Sequence, residues 1–329
     1  MRGLTLVELM VAVVLGLLIL GGVISIFISN RQAFRTTEQL ARTQENARTA
    51  FELMARSIRE AGGSPCGRNL PTANVLNNSA TAWWANWGDG LRGYGGAEAF
   101  PVKNFGSAPG DRASGTDALV LLYGDSNTSN AIVTHNPTSA EFKVGAATHG
   151  VNDGDVLLVC DYKQAAVFQA TNSSASNVTI VHNTGNSQSP GNCTKGLGLP
   201  VVCSALGTEY EFKGGQLMKL SAEAWYIGNF RRADGRTGRS LFRARLGTSA
   251  TVVVEEIVEG VEDMEIAYLV NTGTGLATDY VDAASVTDWK SVVSVRLTLT
   301  FLGSERVGTD GQPLRRQSIH VIGLRNRLP

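Results

Sequence analysis

A charge surplus of either sign is missing from this sequence. Its 29 Lys and Arg stand against 29 Asp and Glu, so it lacks the basic excess of a dedicated nucleic-acid binder. Histidine and cysteine are scarce, four of each. No C-x-x-C spacing or Cys/His cluster suggests zinc. The stretch Gly88-Asp89-Gly90-Leu91-Arg92-Gly93-Tyr94-Gly95-Gly96 has no closing lysine, which rules out a phosphate-cradling loop. Aromatics are modest at 7%, whereas glycine is abundant at 37 residues, a balance that suits a loop-rich, strand-rich domain outside the cytoplasm.

What the chain does have is grease at its start. Residues 4–28 read LTLVELMVAVVLGLLILGGVISIFI, apolar except for Thr5, Glu8 and Ser25. At about 1.5 Å per residue a helix of this length crosses a hydrocarbon core of about 30 Å. The run is longer than the apolar part of a signal peptide, and no A-x-A cleavage pattern follows it. A soluble core helix needs no such run, and a plain anchor gives no role to Glu8, a carboxylate that is costly in lipid unless neutralised or paired.

Beyond Ile28 the chain turns polar and stays helical. Ala47, Phe51, Met54, Ile58 and Ala61 recur at spacings of three and four, one apolar stripe. Glu38 to Arg42 and Glu52 to Arg56 are i,i+4 pairs in the favourable order. Gly62-Gly63 followed by Pro65 is a strong stop. Residues 4–62 therefore predict one helix of roughly 90 Å. Its first half is apolar all round, and its second half has one face to bury.

Gly3-Leu4-Thr5-Leu6-Val7-Glu8 resembles the processing site of type IV pilins and pseudopilins. The resemblance implies that a prepilin peptidase cuts between Gly3 and Leu4, that the new terminus at Leu4 is N-methylated, and that Glu8 becomes the fifth mature residue. A charged terminal amine and a carboxylate are each costly alone in low dielectric, so pairing Glu8 with the amine of a staggered neighbour favours assembly and sets its register. Leu4 stands where Phe or Met is usual, and Ser25 where many members have proline. Gly16, Gly21 and Gly22 are then the weak points of the helix.

The rest reads as a β-rich head. Residues 64–114 are irregular, with Trp83, Trp84 and Trp87 expected to cover the sheet or the spine, or else to form an exposed contact patch. Strand-like runs at 118–123, 141–144, 155–160, 165–170, 177–182, 222–227 and 241–246 are separated by turn residues, which suggests antiparallel sheets. A short acidic helix is expected over 253–263, then strands at 264–270, 291–302 and 317–324. In 291–302, Val293, Val295, Leu297, Leu299 and Phe301 alternate with polar residues, the pattern of a half-buried strand.

Cys66, Cys160, Cys193 and Cys203 allow three pairings; Cys193–Cys203 as a loop closure and Cys66–Cys160 as a staple from helix exit to sheet are favoured, against one disulfide and two buried thiols. Asp153 and Asp155, in Asn152-Asp153-Gly154-Asp155, are a calcium candidate second to a hairpin turn. Arg231, Arg232, Arg236, Arg239, Arg243 and Arg245 read as a solvated hairpin balanced by Glu255, Glu256, Glu259, Glu262 and Asp263, ahead of a phosphate-tracking patch. Gly124-Asp125-Ser126 follows an apolar strand, where a hydrolase nucleophile would stand. None of His135, His149, His182 and His320 has the aspartate three residues before it that such an enzyme needs, so a strand-ending turn is the stronger reading.

Two further sets of residues narrow the resemblance. They are Ala50-Phe51-Glu52-Leu53-Met54-Ala55-Arg56-Ser57-Ile58-Arg59-Glu60-Ala61-Gly62-Gly63 before Cys66, and later Trp225-Tyr226-Ile227, Leu241-Phe242-Arg243, Val258-Glu259-Gly260-Val261-Glu262-Asp263 with Tyr268, Ser294-Val295-Arg296-Leu297 and Leu324-Arg325-Asn326-Arg327-Leu328. In that order they look like the PilW family of minor pilins. The family implies an α+β, type IV pilin-like fold: leader 1–3, membrane and assembly helix 4–28, amphipathic spine 29–62, and β-rich head 63–329. It implies a non-catalytic subunit that primes type IV pilus assembly in a tip complex and supports twitching motility. No cofactor is expected. The implied partners are other minor pilins, the major pilin, the prepilin peptidase and the inner-membrane assembly platform; nucleic acid is not among them. The implied location is a single pass of the inner membrane with a periplasmic head, then the fibre or its tip. A type II secretion pseudopilin of the J-like kind is the alternative, and a membrane-anchored periplasmic hydrolase using Ser126 stands third.

Overall fold

The computed structural model describes residues 6–67, 70–77, 79–174, 176–273, 275–308 and 310–327. One helix, α1, runs from Leu6–Glu60, followed by fifteen strands: β1 (Thr72–Asn74), β2 (Leu91–Tyr94), β3 (Ala118–Gly124), β4 (Asn130–Asn136), β5 (Glu141–Val144), β6 (Val156–Cys160), β7 (Ala165–Gln169), β8 (Asn172–Ser173), β9 (Thr179–Val181), β10 (Gln216–Arg231), β11 (Thr237–Leu246), β12 (Val252–Glu259), β13 (Val261–Val270), β14 (Val292–Leu302) and β15 (Arg315–Gly323). The class is α+β. Every pairing between named strands is antiparallel except that of β1 with β7.

The long strand β10 holds the larger sheet together. Its start pairs with β6 and β4, and its remainder with β3 on one side and β11 on the other. Side chains alternate along a strand, and this strand uses the alternation to serve different cores. Met218, Leu220, Ala222, Ala224 and Tyr226 enter a core with Trp84, Val120 and Phe242. Trp225 and Ile227, on the opposite face, enter the core that holds the helix. Leu217 belongs to a third core, built from β4, β5, β6, β7 and β9.

The smaller sheet, β13-β14-β15, faces the larger one across the helix-bearing core. Ala50, Met54, Ala55, Ile58 and Ala61 of the spine meet Leu119 and Leu121 of β3 and Leu297, Leu299 and Ile322 of the small sheet there. The stripe read from the sequence is the buried face, with Ala47 and Phe51 packed at its rim.

The acidic helix expected over 253–263 does not form; these residues belong to β12 and β13. The acids suggested a helix, yet Val252, Val253, Val254, Ile257 and Val258 are β-branched and fit a pleated surface better. The strand also sets Glu255 opposite Arg243 on β11, bonded at 2.9 Å. Gly260, with φ +82°, turns the chain from the large sheet into the small one. The irregular stretch 64–114 is likewise interrupted by β1 and β2, too short to show a period. Strands β4 and β8 also had no expectation.

Candidate assembly surface and the joint that carries it

Along residues 6–28 the large apolar side chains of α1 are 53–73% exposed, because the head does not reach them. Among the described residues this is the one helix long and apolar enough to cross a membrane. Glu8 lies in its first turn, amid this exposed apolar surface. Gly3 and Leu4 lie outside the described residues.

The head first touches the helix near Arg35, which pairs with Glu305 at 2.6 Å. Thr36 donates to the Val307 carbonyl, and Asn46 Nδ2 to the Glu259 carbonyl. The open face of the spine neutralises itself through Arg42–Glu38, Arg48–Glu52 and Arg56–Glu60. The expected Glu52–Arg56 pair is therefore replaced: Glu52 turns back to Arg48, and Arg56 reaches toward Glu60. Exposed pairs of this kind contribute little each.

At its other end the helix is locked into the head. Gly62, at φ +67°, donates its N–H to the Leu122 carbonyl at 2.8 Å, Leu122 donates to the Gly90 carbonyl at 2.8 Å, and Gly124 donates to Gly63 at 2.9 Å. The chain leaving the helix thus joins β3. Gly90 must lack a side chain: a Cβ there would sit 2.3 Å from the Gly62 Cα. Arg327 closes the joint from the far end of the sequence. Its guanidinium donates to the carbonyls of Trp289, Val292 and Asp89. Burial lowers its pKa to about 10, which leaves it charged at neutral pH. At the last turns of the helix, Glu223 on β10 accepts from Ser57 Oγ at 2.7 Å and from the Tyr123 hydroxyl at 3.2 Å. Burial, followed by that carboxylate, raises the Tyr123 pKa, so the phenol stays a donor. Sequence reading did not single out Glu223, Gly90 or Arg327 as joint residues. Of the three, only Arg327 had a signal, in the terminal Leu-Arg-Asn-Arg segment.

The other sequence candidates fall into structural roles. Cys66 is bonded to Cys160 and Cys193 to Cys203, the pairing favoured from the sequence; the first ties the helix exit to β6. Trp84 is buried, while Trp83 and Trp87 pack partly buried against the core between β3, β6 and β10. Asp155 is buried and paired with Lys219 at 2.8 Å, and Asp153 accepts from the Ser173 N–H. Residues 152–155 form a turn into β6, yet not the expected hairpin, since β5 and β6 do not pair. Among the described residues no three His, Cys, Asp or Glu side chains are grouped to hold a metal.

The arginine segment forms a hairpin around Asp234-Gly235, and its charges meet acids: Arg232 with Glu256 and Glu259, Arg236 with Asp234 and Glu259, Arg239 with Glu262, Arg243 and Arg245 with Glu255. Arg112 is fully buried, donating to the carbonyls of Glu98, Gly95 and Thr116. Ser126 opens a short 3-10 turn capped by Asp125. The ring hydrogen bonds of the four histidines go to Val151, Phe212, Ser318 and one another, so none orients a base toward Ser126.

Residues 225–325 match the family model of the Type IV Pilus-assembly protein W, PilW. Over these residues, about a third of its length, the chain is similar to the PilW family. No curated protein matches the chain. The PilW segment begins at Trp225 in β10 and takes in β11 to β15. It supplies Trp225, Ile227, Leu241, Val258 and the whole small sheet to the core that grips the spine. The PilW region thus supplies most of the head's side of the core that holds the helix. That family is named for type IV pilus assembly.

Proposed function

We propose that this chain is a minor pilin, a non-catalytic subunit that primes type IV pilus assembly within a tip complex of other minor pilins. The observation that carries this reading is the helix: apolar and uncovered over residues 6–28, then gripped along 50–61 by a core built largely from the PilW-matched segment. In this reading the leader 1–3 is removed at Gly3–Leu4 and Leu4 is methylated. Residues 4–28 then sit in the inner membrane until the assembly platform extracts them. Residues 29–62 transmit position to a periplasmic head, 63–329, whose remaining surface meets the major pilin and other minor pilins.

Deletion of the gene is expected to abolish surface pili and twitching while protein secretion continues. A Ser126→Ala chain should restore twitching fully. Loss of secretion with normal twitching would favour the pseudopilin alternative, and failure of the Ser126→Ala chain alone would favour a hydrolase.

A further inference from the structure

Two of the four histidines meet inside the lobe that does not touch the spine. Its core, which includes Ile132, Phe142, Phe168, Ile180, Phe212 and Leu217, contains no residue of α1. His135 lies on β4 and His182 directly after β9. They are 4% and 0% exposed, with their Nε2 atoms 3.2 Å apart.

One backbone bond settles where the protons are. The Phe212 N–H donates to His135 Nδ1 at 3.1 Å, so that nitrogen is an acceptor and the His135 proton is on Nε2. Nε2–H then donates to His182 Nε2, which places the His182 proton on Nδ1. That atom is buried and, among the described residues, meets nothing beyond its own residue's backbone. Phe142 stacks on His135 at 3.9 Å, and Phe142 and Phe168 lie 4.9 and 5.2 Å from His182. The charged side chain acting on His182 is Lys195, which opposes a second positive charge; no carboxylate acts on either ring.

We propose that the His135–His182 pair is an acid-sensitive latch whose protonation opens the lobe of β4, β5, β8 and β9 while the spine-bearing core stays folded. A proton has no free place in the closed pair. On His182 Nε2 it would point at the His135 N–H; on His135 Nδ1 it would displace the Phe212 N–H. Burial draws the His135 pKa from the usual 6.5 to about 4 and that of His182 well below 6.5, the latter with help from the His135 and Lys195 charges. The open lobe therefore binds protons that the closed lobe refuses. The latch's contribution is complete above pH 6.5 and is lost as the pH falls from there toward 4. Between pH 7.5 and 5, His135 alone multiplies the opening equilibrium by roughly thirty, and His182 adds to it in the same direction.

Hydrogen exchange of the full chain in detergent micelles, corrected for intrinsic amide chemistry, tests this directly. On going from pH 7.5 to 5, amides in 130–144 and 179–182 are expected to lose protection by about thirtyfold or more, while those in 225–302 hold theirs. His182→Phe keeps an aromatic ring and should shrink the response to that of His135 alone. Unchanged protection in 130–144, or an equal loss across 225–302, overturns the latch. Independently of any variant, the histidine 15N spectrum at pH 7 should show His135 as the Nε2–H tautomer and His182 as Nδ1–H. Two like tautomers, or a charged ring, overturn it equally.

Discussion

A Glu8→Ala chain is expected to reach the membrane, fold its head and then fail to enter filaments, with incorporation reduced more than about a hundredfold. Residues 6–28 present apolar surface on all sides, so they pack on neighbouring helices equally well at many heights. Only a charge can tell one height from another. In the proposed assembly, a staggered neighbour's terminal amine with no carboxylate to meet would remain uncompensated, a loss of about 3–5 kcal/mol per contact. Quantifying the variant in sheared filaments against its level in the membrane fraction checks this. The head's disulfides and thermal stability should match the wild type, since its cores do not include Glu8.

Gly90→Ala is expected to produce the second large effect, by loosening the joint between helix and head. The added Cβ would meet the Gly62 Cα at 2.3 Å and the Gly62 N at 2.7 Å, backbone atoms that cannot swing aside. Gly90 also has φ +70°, a conformation that costs other residues about 1 kcal/mol or more. Together, strain and crowding should destabilise the head by roughly 3 kcal/mol, a fall in Tm of roughly 6–12 °C. Gly95→Ala is the control: a Cβ there meets nothing within 4 Å, and stability should move by less than about 0.5 kcal/mol. Equal melting temperatures for the two variants would show that the glycine contact does not hold the joint.

The helix and its stripe were legible because an apolar run and a 3.6-residue period are local signals. The strands 118–124, 156–160, 292–302 and 315–323 were legible for the same reason, through alternation or short apolar runs bounded by turns. Residues 253–263 misled because their acids were read along the chain, whereas Glu255, Glu256, Glu259 and Glu262 answer arginines of β11 and of the turn before it. The joint was hidden altogether. Gly62, Gly90, Leu122 and Arg327 are brought together by long-range topology, and no spacing announces that three carbonyls and an arginine will meet. The histidine pair was hidden likewise: His135 and His182 are 47 residues apart, and each alone reads as an ordinary buried ring.

The assembly account rests on the mature amino terminus. Intact-mass and peptide spectrometry of the chain recovered from purified filaments measures it directly. The account requires a polypeptide that begins at Leu4 and carries a methyl group on its terminal nitrogen; recovery of the uncut Met1 terminus from filaments that are otherwise complete would contradict it.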